Sequence, residues 1–362
     1  MDTFNPATQY KIPDLLCNWP WPRKLSSHYQ EAKAESTAWV ESLHPFDADG
    51  QRTFNACDLN LLASLTYSGR DKDFIRVGCD LMNFYFVYDE YTDVADREEA
   101  AQLAAMVIEA YKNPTTQPRP DGDVVGEMTR QFWDRALALT HPGSPFIKRF
   151  IETSEEFLHA VTQEAEDRIN KRYRKVEDYL KLRRNTSGGK PTLALTELGL
   201  NIPEEVITHP IISELTQDAA DIIVLVNDMH SYVRERACGA ENHNVIGAIM
   251  YEHNLVLQEA LGWLEAYAKN VIARFLANVE RVPSWGTEID DSVKVYINGL
   301  GQWVRGNDDW SYEAKRYYGG DGMKVKESRI VTFLPPKKGF LKEEQLREAL
   351  RRCSSTAMCH GL

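Results

Sequence analysis

The sequence predicts an all-α protein, and three observations predict it. Apolar residues recur every three or four positions through long segments, period-two alternation is almost absent, and the breaks between segments fall on proline and glycine. A chain of 362 residues with 43% hydrophobic residues can bury a large core. No composition break divides its first three hundred or so positions, which predicts one large domain.

Residues 27–43, 100–112, 125–139, 146–166, 211–236 and 254–279 each carry an apolar stripe with charges between, the pattern of amphipathic helices. Breaks stand at Asn113-Pro114, His141-Pro142-Gly143, Thr186-Ser187-Gly188-Gly189-Lys190-Pro191, Ile202-Pro203, Cys238-Gly239 and Val282-Pro283. Pro191 and Pro203 each open a helix, where a missing N–H costs nothing. Residues 329–334 are the one strand-like stretch. No internal repeat is present. The text changes at Gly319-Gly320-Asp321-Gly322, followed by Pro335-Pro336 and a charged run over 342–352. This gives a single α-helical domain over 1–320 and a tail over 321–362, mobile or a short appended helix.

Composition excludes several functions. Lys+Arg 42 against Asp+Glu 54 gives a net charge of -12, which argues against sequence-independent nucleic-acid binding, since that needs basic residues to neutralise phosphates. Six scattered cysteines without a C-x-x-C pair predict reduced thiols and a cytoplasmic protein. Neither a signal-peptide plan nor a membrane span is expected, and nothing in the sequence speaks to oligomeric state. Cys353, Cys359 and His360 are too few for a zinc site with usual spacing. The terminal Cys359-His360-Gly361-Leu362 lacks the aliphatic pair of a prenylation signal.

Two constellations carry chemistry. Asp89-Glu90-x-x-Asp93 puts Asp89 and Asp93 one helical turn apart, above Met82, Tyr85 and Phe86. Asn227, Ser231 and Glu235 repeat at i, i+4, i+8, a row of oxygen donors about 6 Å apart. Mg²⁺ prefers such hard ligands and completes its octahedron with waters and phosphate oxygens, so a sparse protein donor set suits a metal-bridged diphosphate. Taken singly, each is also what the solvated end of a buried helix shows. Asp228 and His230, off the Asn-Ser-Glu face, are read as solvent-facing.

In this order and spacing the motifs resemble class I terpene synthases. Asp89-Glu90-x-x-Asp93 is similar to that family's aspartate-rich motif, and Asn227, Ser231 and Glu235 to its second metal motif. Arg184-Asn185-Thr186-Ser187-Gly188 resembles its diphosphate sensor, linker and effector at a helix break, and Arg316-Tyr317, after Trp310, its late Arg-Tyr pair. Glu90, Ser187 and Arg234 depart from the residues many members carry there, and an Arg at 234 still grips diphosphate through a planar fork. The context from Gly78 to Val94 resembles basidiomycete sesquiterpene synthases, among them the Δ6-protoilludene synthases.

The resemblance implies a helical bundle around an apolar cavity and Mg²⁺, as three ions shared with the substrate diphosphate. Asp89, Glu90, Asp93, Asn227, Ser231 and Glu235 would hold metal; Arg184, Arg234, Arg316 and Tyr317 would hold diphosphate. It further implies catalytic roles for Arg184, Ser187, Gly188, Phe86 and Trp310, with Met82, Tyr85, Phe86, Trp303 and Trp310 lining the cavity. Farnesyl diphosphate would be the substrate, closed between C1 and C11. A chain-elongating prenyltransferase would carry a second aspartate-rich motif where Asn227-Asp228-x-x-Ser231 stands. A non-catalytic helical interaction protein is the reading from a different class.

Overall fold

In the computed structural model, described over residues 4–115, 118–119, 122–141, 143–169, 173–336, 344, 346–348 and 351, the chain is helical almost throughout. The helices are α1 (Tyr29–Ser42), α2 (Ala48–Asn55), α3 (Leu59–Thr66), α4 (Lys72–Thr92), α5 (Arg97–Lys112), α6 (Val124–Ala138) and α7 (Pro145–Ile169). They continue as α8 (Val176–Thr186), α9 (Gly189–Ala194), α10 (Glu204–Ile207), α11 (Pro210–Cys238), α12 (Val245–His253), α13 (Leu257–Val279), α14 (Thr287–Glu313) and α15 (Gly322–Ser328). No described helix is long and apolar enough to cross a membrane. Cys353, Cys359 and His360 lie outside the described residues.

Local chemistry sets the boundaries that matter for the site. Asp71 caps α4 by accepting from the Phe74 N–H at 2.9 Å, and Thr92 at its end turns its hydroxyl back to the Tyr88 carbonyl. Pro210 opens α11, and Gly239, at φ 72°, closes it in the left-handed region that favours glycine. The predicted break between α8 and α9 falls at Ser187-Gly188, with Gly188 at φ 67°. Helix α13 begins at Leu257 rather than at 254, because Asn254 adopts φ 53° and terminates α12.

Helix α14 carries the segment that delivers Arg316 and Tyr317. It approaches α3 closely because Gly306 has no side chain: a Cβ there would stand 2.8 Å from the Thr66 backbone nitrogen and 2.9 Å from the Leu65 carbonyl carbon. The N-terminal segment is strapped across α14, with the Trp19 indole N–H donating to the Gly301 carbonyl and Arg305 donating to the carbonyls of Leu16 and Trp21.

The first part of the expected tail is packed rather than peripheral. Strand β2 (Ile330–Thr332) pairs antiparallel with β1 (Gln9–Lys11), Tyr10 facing Val331. Val331 is buried, and Tyr10 stacks on Phe333 at 5.0 Å. The strand-like stretch in the sequence is therefore a strand, and α15 before it packs its Gly322 onto the Tyr312 carbonyl.

Gly306→Ala should destabilise the protein by about 1–3 kcal/mol, because two of the three nearest obstructing atoms are backbone and cannot swing aside. Chemical denaturation of the variant against the parent checks this, and an unchanged midpoint would contradict the close approach of α14 to α3.

Candidate active site

The two motifs face each other across a set of arginines. Arg316 Nη1 donates to Glu90 Oε1 at 3.3 Å, and its Nη2 lies 3.6 Å from Asp89 Oδ2. From the opposite helix, Arg234 Nη2 reaches the same Glu90 oxygen at 3.6 Å. Tyr317, the next residue along from Arg316, accepts from Asn227 Nδ2 at 3.0 Å. That contact orients the Asn227 amide, leaving Oδ1 to accept from Arg183 Nη2 at 3.1 Å.

Asp89 is 51% exposed, so solvent and ions reach it, yet enough protein surrounds it to raise its carboxyl to about 6. Burial is the first cause and the Asp93 charge one turn away the second, while Arg316 and Arg234 oppose both. Asp93 is exposed at the C-terminal cap of α4. On α11, burial and then the Asp228 charge push the Glu235 carboxyl up. Such sites favour a cation. The donors are all oxygen, split between two helices, which fits Mg²⁺ bridged by a diphosphate better than a closed protein cage. Among the described residues no three His, Cys, Asp or Glu side chains gather to hold an ion by themselves.

Asp228 and His230 are not solvent-facing. Both are fully buried. Asp228 accepts from the Tyr179 hydroxyl at 2.5 Å, the Val245 N–H at 2.8 Å and Arg183 Nε at 3.2 Å. His230 lies between the Tyr318 hydroxyl at 2.8 Å and Asp308 at 3.0 Å. The apolar helix that suggested an exit from the core stays in it, and its polar side chains find partners on α8, α12 and α14.

Arg184 is held by a bidentate pair with Asp221, at 2.6 and 3.0 Å, and it is the neighbouring Arg183 that stands on the metal motif. Ser187 Oγ accepts from the Gly189 N–H at 3.1 Å, and the Gly188 carbonyl accepts from Thr192 at 3.3 Å, opening α9.

Of the five predicted lining residues, Phe86 alone is half-buried; Met82, Tyr85, Trp303 and Trp310 are buried. Arg316 lies over the Phe86 ring at 4.7 Å, and Trp310 meets Phe86 edge-on at 5.9 Å. Trp310 has its N–H satisfied by the Cys57 and Asp58 carbonyls, the bonding of a packed residue. Tyr85 packs on Phe157 and its hydroxyl meets Ser154 at 3.2 Å, while Trp303 meets Tyr67 edge-on. An open cleft of about 570 Å³, lined by Asp49, Arg52, Thr53, Ala56, Cys57 and Lys315, adjoins this group through Cys57, whose sulfur is 3.8 Å from Arg316.

A helical bundle that sets oxygen donors on two facing helices around shared arginines is the architecture of a terpene cyclase, a lyase. Comparison with known proteins agrees: the family model for terpene synthase family 2, C-terminal metal binding, matches residues 80–274. The chain belongs to the terpene synthase family and is a sesquiterpene synthase by its relatives. It is 58% identical over 338 residues to sesquiterpene synthase Agr8 of Cyclocybe aegerita, covering 93% of this chain and 95% of that one. A Δ6-protoilludene synthase of Stereum hirsutum is 45% identical, covering 91% and 90%. Among solved structures, α-eudesmol synthase superposes with TM-score 0.73 at 22% identity over 82% of this chain and 98% of that one. The germacradien-4-ol synthase of Streptomyces citricolor gives 0.70 at 22% identity over 81% and 96%. These structures support the fold alone.

Asp228→Ala should destabilise the protein by about 3–5 kcal/mol, since it leaves the Arg183 charge and two further buried donors without their acceptor. A thermal midpoint unchanged from the parent would return Asp228 to the solvent-facing role.

Proposed function

We propose that the chain is a Mg²⁺-dependent cyclase that ionises farnesyl diphosphate, closes the cation between C1 and C11 toward the Δ6-protoilludene skeleton, and releases diphosphate. The observation that carries this reading is Arg316, whose guanidinium meets both Asp89 and Glu90 while the adjacent Tyr317 meets Asn227. One short segment thus touches both candidate metal motifs. The product assignment is supported by the 45% identity to a protein named for it. The four described cysteines are unpaired, which suits the cytoplasmic location we propose.

The reaction needs the leaving group's developing negative charge stabilised, and then a site that neither hydrates nor quenches the cation. Asp89, Glu90 and Asp93 on α4 and Asn227, Ser231 and Glu235 on α11 would hold Mg²⁺, which supplies electrostatic stabilisation of the departing diphosphate. The arginines now lying on Asp89, Glu90 and Asn227 act as provisional counter-ions. With substrate and metal bound, Arg316 and Arg234 would turn to the diphosphate oxygens, Arg183 would turn its Nη2 from Asn227 to them while its Nε stays on Asp228, and Tyr317 would donate its hydroxyl there. Arg184 has both Nε and Nη2 on Asp221 and joins them only by releasing it, so Arg183, whose Nη2 rests on an uncharged amide, is the principal donor from α8. Gly188, with its left-handed backbone against the Tyr85 ring, places the helix break beside the aromatic strip. Phe86 offers its half-buried ring toward the cation.

Incubation with farnesyl diphosphate and Mg²⁺ should give a tricyclic hydrocarbon identifiable by mass spectrometry, abolished by chelator. A longer prenyl diphosphate formed with isopentenyl diphosphate would instead show a chain elongator, and turnover in metal-free buffer would remove the metal from the reading.

Arg183→Lys and Arg316→Lys should each weaken Mg²⁺-dependent binding of inorganic diphosphate by about tenfold, because a single ammonium cannot reproduce a bidentate charge-assisted contact. Arg184→Lys should weaken it less. Calorimetric titration ranks the three, and a larger effect at Arg184 would reinstate it as the principal donor.

A further inference from the structure

Asn244 belongs to no motif in the sequence and sits on the extended residue before α12, fully buried. Its side chain makes contacts in two directions. Oδ1 accepts from the Ile246 N–H at 2.9 Å, capping α12. Because that backbone group can only donate, the amide orientation is fixed, and Nδ2 must face the other way. There it donates to the Asp228 carbonyl at 2.7 Å and to Glu235 Oε2 at 2.8 Å, with Ser231 Oγ at 3.4 Å. The neighbouring Val245 N–H closes the same junction by donating to the Asp228 carboxylate. One amide therefore ties the N-terminus of α12 to the backbone between Asn227 and Ser231, and also to the carboxylate that ends the motif.

We propose that Asn244 is a positioning residue for the metal site, holding the Glu235 carboxylate, and with it the Ser231 hydroxyl, in the orientation that receives the ion. This rests on the metal-binding reading of Ser231 and Glu235 given above. The physical ground is directional. A carboxylate on a flexible side chain has several rotamers, and Mg²⁺ accepts only near-octahedral placement of its ligands. Glu235 has Oε2 occupied by Asn244, which leaves Oε1 for an ion. Groups that orient metal ligands in this way change metal affinity by about 10- to 100-fold when removed. Serine at 244 keeps a capping oxygen for α12 but is too short to span to Glu235, so capping and positioning can be separated.

The test is the thermal midpoint of the full-length protein with inorganic diphosphate, titrated with Mg²⁺. The parent should show a saturable rise. Asn244→Ser should keep the parent's metal-free midpoint to within a few degrees and its helical circular dichroism, yet require about tenfold more Mg²⁺ for half of the rise. Turnover should fall at limiting Mg²⁺ and return at saturating Mg²⁺. Asn244→Ala should show the same metal shift together with a lower metal-free midpoint, from the lost cap. If the serine variant does not fold, Asn244→Asp carries the test, since it keeps cap and volume but sets an acceptor against Glu235, and its Mg²⁺ requirement must rise as well. A folded variant with the parental Mg²⁺ midpoint overturns the proposal. A parent protein without any Mg²⁺-dependent rise overturns the metal reading on which it stands.

Discussion

A carboxylate without exposed surface must find its hydrogen-bond donors inside the protein, and Asp228 ties three separate pieces of chain together in finding them. Tyr179 and Arg183 come from α8, the Val245 N–H from the start of α12, and the carboxylate itself from the middle of α11. Losing any of the three would leave polar groups unpaired where water cannot replace the bond. The consequence is geometric. Helices α8, α11 and α12 are pinned at one point, and the residues on either side of that point, Asn227 and Ser231, inherit its rigidity.

The same logic explains why the site is lined with arginines. Asp89, Glu90 and Asn227 present lone pairs that ask for a cation, and Arg316, Arg234 and Arg183 provide it. These guanidiniums are planar and always charged, so they can leave a carboxylate for a diphosphate without a proton changing place. The half-exposed Asp89 marks where that exchange has access to solvent. On the function proposed above, metal and diphosphate would be coupled: an ion taking the carboxylates would free the arginines, and the arginines so freed would need an anion.

Much of this was readable in the sequence, for particular reasons. Spacing of four along a helix put Asn227, Ser231 and Glu235 on one face, and the structure keeps them there because α11 runs unbroken from Pro210 to Gly239. The Gly188 break was readable since few residues other than glycine accept a positive φ. What escaped was whatever depended on a neighbour. Arg183 and Arg184 are adjacent, and on a helix adjacent side chains point about 100° apart, so one meets Asn227 and the other Asp221; only the position of α11 decides which. Asp228 and His230 looked solvent-facing because the partners that bury them lie up to 88 residues away in sequence. Asn244 fell in no predicted segment and no motif. Helix α14 is missing from the predicted segments, because its glycines, placed for close approach, weaken the local helical signal.

The ribbon of β1 and β2 has a bearing on how the protein is made. Gln9 and Thr332 bond across a separation of 323 residues. Closing so long a loop is entropically slow to nucleate, and contacts of this kind form after local ones. During synthesis the first strand leaves the ribosome long before its partner exists, so the ribbon closes only after the helices between have been made. The segment bearing Arg316 and Tyr317 lies just ahead of that partner. A nascent chain can thus hold Asp89 and Asn227 on folded helices while still lacking Arg316 and Tyr317, the segment that joins those two helices.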